Sequence, residues 1–96
     1  MKINVISTPD WELIVAIGHY GYIPNLPQHL VDKAYKAAWQ YTDAYGKLGF
    51  MPSQGYDWSG FRDSSRESNR LSANAIRVVL AKAGVDEFTV SLLGCA

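Results

Sequence analysis

The alternation of apolar and polar residues changes period several times along this chain, and each change predicts a different element. Lys2 to Ser7 is a β-rich run with Ile3 and Val5 on one face and Ile6 on the other, the pattern of a strand buried on both faces. Thr8-Pro9-Asp10 then has the chemistry of a helix start, with Thr8 as N-cap, Pro9 in the first helical position and Asp10 beside the positive end of the dipole. From Trp11 to Tyr20 two periods compete. As a helix, the segment sets Glu12, Ala16 and His19 on one narrow polar stripe. As a strand, Trp11, Leu13, Val15 and Ile17 alternate cleanly. The capping residues favour the helix, and a third strand over residues 11–17 is the alternative.

Pro27 opens a helix predicted to reach about Tyr45, where Gly46 supplies a left-handed stop. Leu30, Val31, Ala34, Tyr35, Ala38 and Tyr41 fall on one face, and Asp32, Lys33, Lys36 and Gln40 fall opposite. A third helix is predicted from Ser64 or Ser65 to Ala83, ended by Gly84 with Val85 packing back. Its buried face reads as Leu71, Ala75, Ile76, Val78, Val79, Leu80 and Ala83. Phe88, Val90 and Leu92 alternate with polar residues in a terminal strand, Phe88 to Leu93. The order β-α-α-α-β implies a small α+β domain over residues 1–96, with the terminal strands paired and the helices on one face. Because two strands alone are marginal, the sheet needs a third strand from residues 11–17 or an edge covered by a partner or by a second copy in a homodimer.

Composition narrows the function by exclusion. The 96 residues carry zero formal net charge, so no global attraction draws the chain to nucleic acid or to an acidic membrane. No apolar run approaches the ~20 residues that span a bilayer, and the N-terminal residues lack the apolar core of a signal peptide. The single Cys95 forms no internal disulfide, and the expected setting is a reducing, cytoplasmic one. His19 and His29 lack ligand spacing, so neither a metal nor another cofactor is expected. Hydrolase, P-loop and dinucleotide signatures are absent, and the chain is expected not to be an enzyme.

Two local features carry the functional expectation. All four arginines lie between Arg62 and Arg77, while all five lysines lie outside that segment. On a helix, Arg66, Arg70 and Arg77 fall within about 40° of one another, and Arg62 joins them if the helix begins early. This stripe lies almost opposite the predicted Leu71–Ala75–Val79 face and is expected to meet solvent. Beside it, the segment from Phe50 to Phe61 holds four aromatics: Phe50, Tyr56, Trp58 and Phe61. Tyr, Trp and Arg dominate interface energetics. Phe50 and Phe61 read equally well as core caps, and Trp39 sits at the margin of its helix's apolar face.

The expected function is thus a non-enzymatic macromolecular binding protein. Tyr56, Trp58, Phe61, Arg62, Arg66, Arg70 and Arg77 form its contact surface, and its partner is a protein or a protein–nucleic acid complex. Stoichiometric inhibitors of host defence made by phages, anti-CRISPR proteins among them, are small chains of this kind. The alternative is a nucleic-acid-binding protein using the same residues, with rings stacking on bases and guanidinium groups following phosphates.

Overall fold

A computed structural model describes residues 2–18, 23, 25–42 and 59–90. The element order is β1 (Lys2–Asn4), α1 (Asp10–Gly18), α2 (Gln28–Trp39), a single helical turn α3 (Ser59–Arg62), α4 (Arg66–Lys82) and β2 (Glu87–Thr89). β1 and β2 pair antiparallel with Ile3 opposite Phe88, and both of these side chains enter the core. Three principal helices and a two-stranded antiparallel sheet make a small α+β fold.

β1 stops earlier than its composition suggests because Asn4 competes for its own backbone. The Asn4 Oδ1 accepts the N–H groups of Ile6 and Ser7 at 3.1 and 3.0 Å, and its carbonyl accepts that of Thr8, which turns the chain out of the sheet. Val5 therefore stays buried, while Ile6 is 72% exposed rather than the second face of a strand. On β2, the Asn25 Oδ1 accepts the Thr89 N–H at 3.3 Å.

Residues 11–17 are helical, so the third strand does not form. The first bond of α1 runs from the Leu13 N–H to the Pro9 carbonyl, one residue later than a Thr8 cap would place it. Asp10 and Glu12 occupy the favourable first turn. Leu13, Ile14, Ala16 and Ile17 are buried, which leaves Trp11 and Glu12 on the outer face. Ala16 thus points inward, off the polar stripe expected of it, and Trp11 is exposed instead.

α2 ends at Trp39, short of the predicted Tyr45. Tyr41 and Thr42 donate to the Ala38 and Trp39 carbonyls in i→i−3 bonds, and the Thr42 hydroxyl also donates to Trp39 O at 2.8 Å. These tighter bonds satisfy the last carbonyls and close the helix. Trp39 is buried rather than marginal, 6.0 Å from the Tyr35 ring and edge-on to Phe61 at 5.5 Å.

The ends of α4 follow their sequence signals. The Ser65 Oγ accepts the Ser68 N–H at 3.1 Å. At the other end Gly84 takes φ +77°, and the Gly84 and Val85 N–H groups donate to Ala81 and Leu80, a Schellman closure. Its buried face follows in part: Ile76 and Leu80 are buried and Val79 packs against the core, as expected. Ser72, Ala73, Ile76 and Leu80 are buried, whereas Leu71 and Val78 are exposed, so the helix is turned by about 100° from its expected setting. The cause is contact with α2. Ala34, Ala38, Ser72 and Ala73 are all buried small residues, and the Ser72 Oγ donates to Ala38 O at 2.9 Å across the contact.

Ser72→Leu is therefore expected to destabilise the fold by about 2 kcal/mol or more through overpacking. Leu71→Ser should cost under about 1 kcal/mol. Urea unfolding of both variants checks the orientation, and the reverse ranking contradicts it.

Candidate functional site

The turn of α4 changes which arginines reach solvent. Arg77 does not: its side chain is only 18% exposed. Its Nε donates to the Val5 carbonyl at 3.0 Å, its Nη2 to the Thr8 carbonyl at 2.8 Å and its Nη1 to Asn74 Oδ1 at 3.0 Å. The same Nη1 lies 2.9 Å from the Asp10 carboxylate. The planar guanidinium thus ties the β1–α1 corner to the middle of α4 and is removed from the expected contact stripe.

Phe61 is a second correction. It is 1% exposed, because α3 turns its ring inward to pack edge-on against Tyr35 at 5.7 Å and against Trp39. It completes an aromatic cluster of the core and is closed to a partner. Tyr56 and Trp58 lie outside the described residues.

Arg62, Arg66 and Arg70 remain on the surface. The Arg62 Nε pairs with Asp63 at 3.2 Å. Arg70 forks onto Glu67, one turn back, through both its Nε and its Nη2. That contact holds the Glu67 carboxyl below its ordinary range, through the hydrogen bond first and the guanidinium charge second, and it raises Arg70. The stabilisation is present above the ordinary glutamate range and is lost as pH falls through the lowered value; at so exposed a pair it is small. Arg66 has no ion-pair partner among the described residues. It stands at the positive end of the α4 dipole and four residues before Arg70, two placements that each disfavour a cation.

Between the β1–α1 corner and the α3–α4 corner runs an open groove of about 1000 Å³. Ile6, Pro9 and Trp11 line one wall and Arg62, Ser64 and Arg66 the other, with the Arg77–Asp10 pair joining them. Trp11 is 39% exposed here. Asn69 also lines the groove, and its Oδ1 is buried without a hydrogen-bond donor among the described residues. Of the residues lining this groove, Arg62 and Arg66 were legible in the sequence as contact residues, and Trp11, Ile6 and Asn69 were not. The outward i, i+4 pair Trp11 and Val15, set against Leu13, Ile14 and Ile17, was the available signal.

Among the described residues, no helix is long and apolar enough to cross a membrane, and no group of His, Cys, Asp and Glu is placed to hold a metal ion. The arginines should separate in stability measurements. Arg77→Ala is expected to cost about 2 to 4 kcal/mol, with Arg77→Lys recovering only part because an ammonium lacks the planar fork. Arg66→Ala should be neutral or slightly stabilising, since it removes a cation from a helix N-terminus. Equal losses from Arg77→Ala and Arg66→Ala in urea titration would contradict this division. No family model, curated protein or solved structure matches the chain.

Proposed function

We propose that this chain is a macromolecular binding protein that performs no chemistry of its own and docks its partner in the groove between α1 and the start of α4. One observation carries the reading: exposed Trp11 and Ile6 stand across a single groove from the exposed arginines Arg62 and Arg66. Trp and Arg are the side chains whose truncation most often costs the largest share of binding energy. Trp supplies a large rigid apolar surface, and Arg supplies directional charge-assisted hydrogen bonds. Trp11 keeps 39% of its surface exposed at the groove, and contact with a partner would desolvate that part.

A stoichiometric blocker of the kind phages use against host defence complexes is one form such a binder takes. Its contact surface would be this groove, extended by whatever Tyr56 and Trp58 add.

Paired capture with wild-type and variant chains as bait tests the reading. Trp11→Ala and Arg66→Glu should each weaken partner capture by about 30-fold, the equivalent of a 2 kcal/mol anchor, under conditions where urea titration shows both variants to be folded. Undiminished capture by both folded variants would remove the groove as the binding site.

A further inference from the structure

We infer, building on the binding role proposed above, that the groove receives a protein segment presenting one carboxylate beside one large apolar side chain. The carboxylate pairs with Arg66, and the apolar group lies against Trp11 and Ile6. The argument is electrostatic. Arg62, Arg70 and Arg77 are each matched by a carboxylate of the chain itself, Asp63, Glu67 and Asp10 respectively. Of the four arginines, Arg66 is the one without an acidic neighbour in contact among the described residues.

That arrangement suits one anionic group and disfavours a chain of them. A nucleic-acid backbone would bring successive phosphates past Asp10, which lines the groove and keeps its side chain 40% exposed, and past the exposed Asp63 and Glu67. A peptide meets no such repulsion. Its N–H groups are donors, and the groove offers acceptors in Asp10 and Asn74. A carboxylate on Arg66 would also offset the helix-dipole and Arg70 repulsions that the free protein carries. The apolar wall of Ile6, Pro9 and Trp11 fits one or two side chains of an extended segment.

Selection of displayed random heptapeptides on the full chain, together with titration of a single-stranded 12-nucleotide probe, tests this. The expected result is a set of peptides that share one Asp or Glu next to a large apolar residue. Their affinity should fall about tenfold or more both on Arg66→Ala and on neutralising that acid, with a log–log salt slope no steeper than about −1, as one released ion implies. Peptides that Trp11→Ala weakens but that need no acid, or that ignore Arg66→Ala, would overturn the carboxylate assignment and leave the groove as a binding site. Oligonucleotide binding that Trp11→Ala weakens, with a slope of about −2 or steeper, would overturn it in favour of nucleic acid. Should neither library nor oligonucleotide yield any binding sensitive to Trp11→Ala, the binding role of the groove falls with the inference.

Discussion

A single guanidinium group joins three parts of this fold. Arg77 reaches from the middle of α4 to the carbonyls of Val5 and Thr8 and to the carboxylate of Asp10, the residues through which the chain leaves β1 and begins α1. Both carbonyls belong to a turn, and turn carbonyls left away from water are costly. Arg77 meets that need with a side chain whose charge Asp10 in turn balances. Asp10 serves two positive ends at once, the guanidinium and the N-terminus of α1.

The clamp also decides what the surface has left to offer. With α4 set by Ser72 against Ala38, Arg77 falls on the flank that meets α1, and Arg66, about three turns earlier, lines the groove. The same rotation leaves Leu71 and Val78 outside and draws Ala73 inside. Packing geometry thereby divides four like residues into three with internal carboxylate partners and one without. The α+β arrangement positions the candidate site through its corners, and the sheet contributes chiefly by delivering Asn4 and Val5 to the first of them.

Much of this fold could be read from local chemistry. Ser65, Gly84 and Val85 marked both ends of α4, and Pro9 and Asp10 decided the helix over a strand that alternation alone would have favoured. Each of these signals acts within a few residues, so no tertiary knowledge is needed. What stayed hidden depended on partners distant in sequence. The face of α4 was legible only in part, because Leu71 and Val78 outweigh Ser72 and Ala73 in hydrophobicity, yet the contact with α2 buries the small residues. Arg77 read as solvated because its acceptors lie some seventy residues away in the chain. Phe61 weighed equally as core cap and contact residue until Tyr35 and Trp39 were seen to surround it. Trp11 was hidden because a tryptophan at that position fits the apolar face of a helix or of a strand equally well, and only the packing of α1 leaves it outside.

The account rests on the claim that Arg77 is spent within the fold while Arg66 is held for a partner, and the side-chain Nε–H groups of the two report on this directly. Nitrogen-15 spectra of the full chain near neutral pH should show the Arg77 Nε–H protected from solvent exchange, with a coupling across its hydrogen bond to the Val5 carbonyl. The Arg66 Nε–H should exchange as fast as that of a free arginine. Equal, rapid exchange at both positions would contradict the clamp and the division of roles drawn from it.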